Sequence, residues 1–296
     1  MNISNVKSEP DVRLNDSQNA EVLREWRESA FYWQKYADTI RTMFGPITQA
    51  LIDGAEITEG DAVLDVAGGA GEPSLTIAGI VGPTGSVICT DVTAEMVAAA
   101  QSEAQRHGVT NISFRQCAAD SLPFENDSFD AVVCRLGVMF FPDPLAGLQE
   151  MLRVTKQDGV IALAVWDKSE LNPFSYLVTD VVGRHFEAAA TPADANAPGA
   201  FRFAEHGSLA RILQNAGAVD VKERALEFHI AAPISPKEFW QMRSGTSAGL
   251  REKLARLSQT EADLVAKEAQ EAVREFFPNN QMKFPAQMII VTGRKP

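Results

Sequence analysis

The sequence predicts an α/β fold in which a mostly parallel sheet is covered by helices on both faces. Three observations predict it. From residue 62 onward, short β-rich runs alternate with helical patterns, the signature of right-handed crossovers. One of these units, "VLDVAGGAGEPSLTIAG" at residues 63–79, runs from an apolar strand through a glycine-rich turn into a helix. The 296 residues, 45% of them hydrophobic, suffice for one large domain with a substantial core.

The elements follow in order. Residues 1–19 are polar and acidic and are expected to form a flexible tail, with neither the apolar core of a signal peptide nor an arginine-rich amphipathic helix. Residues 20–55 are expected to form a helical cap carrying Trp26, Phe31, Tyr32, Trp33 and Tyr36. These rings either pack the cap onto the sheet or make it a lid whose aromatics touch cofactor or substrate.

Residues 56–166 form the expected nucleotide-binding core. "AVLDVA" is a strand, followed by a helix from about Pro73. "SVICTD" precedes the helix "TAEMVAAAQSEAQRH", which Gly108 closes. "NISFRQC" and "FDAVVCR" are strands separated by a loop, then come the helix "PLAGLQEMLRVT" and the strand "GVIALAVW". Residues 167–205, rich in alanine and proline, read as a lid insertion. The core resumes at 206–232 with the helix "SLARILQNAG", capped by Ser208 and stopped by Gly217, and the β-like "VDVKERALEFHI". A helical insertion at 233–284 carries two capping boxes, Ser235 to Glu238 and Ser258 to Glu261, and residues 285–296 close with a strand.

Charge and composition narrow the function. The formal net charge is −12 and no basic cluster appears, which argues against nucleic-acid partners. No apolar run approaches the ~18 residues of a membrane span, so membrane insertion is not expected. The cysteines Cys89, Cys117 and Cys134 lie on or beside strands at spacings that fit no zinc site. They read as buried thiols of a reducing cytoplasm, and no metal is expected.

The turn Gly69-Ala70-Gly71 alone is weak, because a tight strand-to-helix connection needs no ligand. Asp91 ends the second strand about 20 residues further on, where a carboxylate can accept from both ribose hydroxyls. A nicotinamide cofactor would ask for the same acid. Two features separate the readings. Ser74 stands where a dinucleotide fingerprint wants its third glycine, and Glu72 puts an acid at the helix start, where a pyrophosphate would be repelled. Asp120, in "CAADSLPF", can accept from an exocyclic amine such as adenine N6. An adenosine held by acids and lacking phosphates points to S-adenosylmethionine.

On these residues the sequence resembles the class I S-adenosylmethionine-dependent methyltransferases, in the ubiquinone/menaquinone-biosynthesis-like (type 11) branch. "VLDVAGGAG" resembles the D-x-G-x-G-x-G motif, and "TDVTAEM" the second-strand acid with its following threonine and methionine. "AADSLPFENDSFDAVVCRLGVMFFPDP" is similar to the family's third and fourth strands. The likeness covers about residues 55–166 well and the remainder loosely. It implies a Rossmann-like fold with a seven-stranded, mostly parallel sheet. One departure is Ala67, at the family's first glycine, whose methyl is expected beside the methionine portion of the cofactor.

The resemblance implies a cofactor site residue by residue. Asp65 and the backbone of Ala67, Gly68, Gly69 and Gly71 would hold the aminocarboxypropyl group. Asp91 would take the ribose, Val92 and Met96 the adenine, and Asp120, between Ala119 and Ser121, its amine. Arg135 and Leu136 would line the sulfonium end, although the arginine could equally pair with a lid carboxylate.

An activated methyl needs mainly positioning, yet a neutral nucleophile would need a base. Of His107, His185, His206 and His229, His206 is the candidate base. Tyr32, Trp33, Tyr36, Met139, Phe140 and Trp166 are candidate walls of an acceptor pocket beyond the strand C-termini. Apolar walls suggest a small organic or lipid-like acceptor; arsenite is disfavoured, because no cysteine falls in a lid. A macromolecular acceptor and a non-catalytic binding protein are the alternatives, and the oligomeric state, a homodimer included, stays open.

Overall fold

Residues 160–166 form a continuous apolar run that is buried throughout, and the sheet is arranged around it. The computed structural model describes residues 17–186 and 197–296. The expected flexible tail up to residue 16, and residues 187–196 of the lid insertion, lie outside the described residues.

The cap is three helices, α1 (Ser17–Lys35), α2 (Ala37–Met43) and α3 (Gly45–Gly54). The core then alternates β1 (Ala62–Asp65), α4 (Ser74–Val81), β2 (Ser86–Asp91), α5 (Ala94–His107), β3 (Ile112–Gln116), β4 (Phe129–Arg135), α6 (Pro144–Val154) and β5 (Thr155–Trp166). After α7 (Pro173–Gly183) and α8 (Ser208–Asn215) come β6 (Val219–Ala232), α9 (Pro236–Thr246), α10 (Ala248–Leu254), α11 (Gln259–Ala272) and β7 (Met282–Arg294).

The seven strands form one sheet in the order β3-β2-β1-β4-β5-β7-β6. The first five pair in parallel; β7 runs antiparallel between β5 and β6. Ile161 to Val165 of β5 are fully buried, as a strand covered on both faces requires. Strand order reverses at β1, so a crevice opens beyond the carboxyl ends of β1 and β4.

Local signals explain most boundaries. Thr93 caps α5 through a bond from the Met96 amide, and Gly108 ends it in the left-handed conformation at φ 67°. Both expected capping boxes form, at the starts of α9 and α11. Helix α8 corrects its expected cap: Gly207 (φ 80°) precedes the helix and Ser208 lies inside it. The Glu223 carboxylate already holds the Gly207 amide at 3.0 Å, and Ser208 Oγ donates instead to the Glu205 carbonyl at 2.6 Å. Strand β7 begins at Met282, earlier than expected, because β6 continues its antiparallel ladder to Ala232. Helix α1 lies against α5, α9 and α10, and roofs the crevice from the amino-terminal side of the chain.

Candidate active site

Asp65 ends β1 fully buried beneath the glycine loop. Its Oδ2 accepts from the Ser74 amide at 3.1 Å and from Ser74 Oγ at 2.5 Å, fastening the first turn of α4. Its Oδ1 has no partner. Burial pushes the carboxyl up to about 7, against the Ser74 hydrogen bonds and the Arg135 charge. A Cβ at Gly68 would fall 2.7 Å from Asp65 Oδ2, so the loop rests directly on this carboxyl.

Ala67 adopts φ 59°, a left-handed conformation that favours glycine. Its methyl lies where a Cβ at Gly137 would come within 2.6 Å of it. The expected crowding of the cofactor by this methyl is therefore met by a glycine across the loop.

Asp91, at the end of β2, is oriented from two sides. Oδ1 accepts from the Thr93 amide at 3.0 Å and from Thr93 Oγ1 at 3.1 Å, while Oδ2 accepts from the Gly69 amide at 3.2 Å. Burial raises its pKa, and the bonds from Thr93 and Gly69 oppose that rise.

These groups border a cavity of about 380 Å³. Ala67, Gly68, Gly69, Asp91 and Val92 line it. So do Met96, Ala119, Asp120, Arg135 and Leu136. Three expected members are not on its wall. Asp65 lies under the loop, Gly71 is packed against Leu75 and Ala100, and Ser121 sits in an exposed turn.

Arg41 and Glu72, both on this wall, had no place in the expected site. Arg41, on α2, pairs through Nε with Glu72 Oε1 at 2.5 Å, and Thr76 Oγ1 donates to Glu72 Oε2 at 2.8 Å. Arg41 Nη2 is buried without a partner. The sequence marks Glu72 only as hostile to phosphate; nothing local signals a partner 31 residues away. Arg135 pairs with no lid carboxylate among the described residues. Its Nη1 donates to Thr48 Oγ1 at 2.8 Å and its Nη2 to the Glu72 carbonyl at 3.0 Å, and burial lowers its pKa.

A second chamber of about 940 Å³ adjoins the first. Trp26, Trp33, Ile40, Phe44, Leu136 and Phe140 line both. Of the expected acceptor residues, Trp33 and Phe140 stand on this shared wall, and Met139 and Trp166 line the second chamber alone. Tyr32 and Tyr36 line neither. Tyr32 is pressed against Gly245 and lies under the Arg251 guanidinium, and Tyr36 lies under Lys35. Phe44 and Arg243 went unnoticed in the sequence, since each reaches the chamber only through the packing of its helix.

None of the four histidines lines either cavity. His206, the candidate base, is held outside: Nε2 contacts Asp167 Oδ2 at 2.9 Å and Nδ1 contacts Glu223 Oε1 at 3.1 Å, with the side chain 49% exposed. His107 joins Asp38 and Arg41, His185 joins Glu268 at 2.7 Å, and His229 is exposed on β6.

A strand, a glycine loop resting on a buried acid, and a second-strand acid beside an adenosine-sized cavity are the fold and site of the class I S-adenosylmethionine-dependent methyltransferase family. Residues 57–217, more than half of the chain, match the methyltransferase domain family, and the chain belongs to it. An uncharacterized protein of Mycobacterium tuberculosis is 38% identical over 132 residues, 44% of this chain and 46% of that protein. The Bacillus subtilis protein YcgJ, an uncharacterized methyltransferase, is 42% identical over 109 residues, 37% and 42% of the two chains. The ubiquinone/menaquinone biosynthesis C-methyltransferase UbiE of Haemophilus ducreyi is 35% identical over 127 residues, 43% and 49% of the two chains. The chain spans about half the length of the curated relatives it matches. The crystal structure of YcgJ shares the fold at TM-score 0.52 and 24% identity, over 84% of this chain and 97% of that one.

The family's cofactor is S-adenosylmethionine, and the residues present fit it. The cavity wall offers a sealed, unpartnered Arg41 Nη2 for a carboxylate, and Glu72 for an ammonium. It also carries acids suited to a ribose and to an adenine amine, and no phosphate-binding group is needed. No helix among the described residues is long and apolar enough to cross a membrane.

Proposed function

We propose that the chain transfers the methyl group of S-adenosylmethionine to an O, N or C atom of a small organic acceptor held in the second chamber. The observation that carries the reading is the wall shared by the two cavities, from Trp26 on α1 to Phe140 beyond β4. In this reading a ligand in the second chamber meets the cofactor cavity at these shared side chains.

In this reading Asp91 accepts from the ribose hydroxyls, Val92 and Met96 flank the adenine, and Asp120 at the rim accepts from its amine. Arg41 and Glu72 hold the carboxylate and ammonium of the methionine portion, with the Ala67-to-Gly69 backbone beside them. When bound, the cofactor supplies a sulfonium-activated methyl carbon open to in-line displacement. The chain's own contribution is placement, and holding two reactants aligned can remove ~7–11 kcal/mol of barrier. Apolar side chains on the shared wall keep water from the meeting point. No histidine stands on either wall, so in this reading the acceptor is one that needs no imidazole base, as a phenolate, an enolate or a free amine is.

The net charge of −12 speaks against a nucleic-acid acceptor. The test is methyl-labelled S-adenosylmethionine with a cell extract, comparing the unmodified chain with Asp91→Ala. Label in the organic-soluble fraction, lost in the variant, supports the reading. Label in protein or nucleic acid overturns the small acceptor. Cofactor binding without transfer in any extract favours a non-catalytic binding protein.

A further inference from the structure

Arg243, on α9, brings a guanidinium to the wall of the second chamber with no counter-ion among the described residues. Its Nε is sealed from solvent and has no hydrogen-bond partner. Its Nη2 reaches the Ser175 carbonyl oxygen at a long 3.3 Å, and the group lies over the Phe174 ring, 5.1 Å from its centroid. Burial alone holds the pKa down to about 10; no acid among the described residues raises it. The other charges on this wall are engaged, Asp180 with Arg184 and Glu25 with a partner of its own. A buried charge left unpaired is costly, and a conserved-volume apolar side chain would avoid that cost. The guanidinium is therefore explained by a ligand that brings the anion.

The remaining wall says what kind of ligand. Trp33, Phe44, Phe140, Trp166 and Phe174 present ring faces and edges, which suit an aromatic body. One guanidinium balances one negative charge, and its planar fork matches a carboxylate. A dianionic phosphate would leave a charge uncompensated among these rings. Arg243 lines the second chamber and not the cofactor cavity, so the carboxylate end belongs to the second chamber. On the shared wall Trp33 Nε1 is a second sealed donor without a partner. It calls for an acceptor atom on the opposite end of the ligand, the end that faces the methyl.

We infer that the second chamber binds an aromatic carboxylic acid bearing a hydroxyl or amino group remote from the carboxylate, with the carboxylate on Arg243 and the remote group beside Trp33. This deepens the methyltransferase reading and rests on it in taking the remote group as the methyl acceptor.

The experiment is calorimetric titration with para-hydroxycinnamate and with its neutral counterpart para-vinylphenol, each in the presence of S-adenosylhomocysteine. The acid should bind saturably and at least about tenfold more tightly than the phenol, a difference of about 1.4 kcal/mol. Arg243→Met should erase that preference, and Arg243→Lys should restore part of it. Equal binding of acid and phenol, no saturable binding of the acid at millimolar concentration, or an acid preference that survives in Arg243→Met overturns the inference. The acid–phenol comparison on the unmodified chain needs no variant to fold. S-adenosylhomocysteine binding, measured alone, separates the two claims. Its failure indicts the methyltransferase reading, whereas loss of the acid preference with that binding intact indicts only the acid.

Discussion

The Ala67 methyl and the backbone of Gly137 share one space: a Cβ at Gly137 would fall 2.6 Å from Ala67 Cβ and 2.9 Å from Cys134 Sγ. The loop after β1 can carry an alanine at a left-handed position because the loop after β4 carries none opposite. Gly137 has φ −100°, so a side chain there is refused by space and not by backbone conformation. Gly137→Ala should therefore destabilise the fold by ~1–3 kcal/mol through overpacking. Adding Ala67→Gly should recover much of that loss, since it vacates the space and relieves a left-handed alanine. Thermal unfolding of the two single variants and the double variant measures the coupling; strict additivity would show that the two residues do not compete.

Asp65 predicts a pH dependence of stability. An unfolded chain holds this carboxyl near 3.8, and burial raises it to about 7 in the folded state. Across that window the folded state binds more protons than the unfolded one, so Asp65 makes unfolding easier as pH rises from about 4 to about 7. Asp65→Asn keeps an oxygen for Ser74 and should flatten this contribution. Denaturant midpoints at several pH values check it, and an unchanged slope would contradict the buried-carboxyl account.

His206→Ala should leave turnover intact, because the imidazole is outside both cavities and occupied by Asp167 and Glu223. The imidazole is half-exposed but Asp167 beneath it is fully buried, so the stability loss should be ~1–3 kcal/mol. A fall in kcat of tenfold or more, with the fold intact, would restore His206 as a base.

Ala200 borders the second chamber and not the cofactor cavity. Ala200→Phe should place a ring in the chamber and cut methyl transfer at least about tenfold, one factor of ten being about 1.4 kcal/mol. S-adenosylhomocysteine affinity should hold. Unchanged transfer would mean that the acceptor never enters this chamber.

Where neighbouring residues decide structure, the sequence was legible. "FDAVVCR" is β4 to the residue, because a continuous apolar run is what a strand buried on both faces needs. Thr93 and Gly108 bracket α5 with a side-chain cap and a left-handed glycine, both local devices. The glycine loop and Asp91 were legible for the same reason, since strand, turn and acid follow one another in the chain. The second chamber was not. Its shared wall joins α1 and α2 to the loop after β4, and Arg243 arrives from α9, far along the chain. The pairing of Arg41 with Glu72 likewise depends on how the cap settles over the loop, which no periodicity records. His206 drew notice because imidazoles can act as bases, but Asp167 and Glu223 had already claimed it.

The most direct test of the account is calorimetric titration of S-adenosylmethionine into the unmodified chain and into Asp91→Ala. The account predicts saturable binding at one site per chain and its loss in the variant, because Asp91 both faces the cavity and holds the Gly69 amide. Absence of binding to the unmodified chain, or saturable binding of NADH in its place, would contradict it.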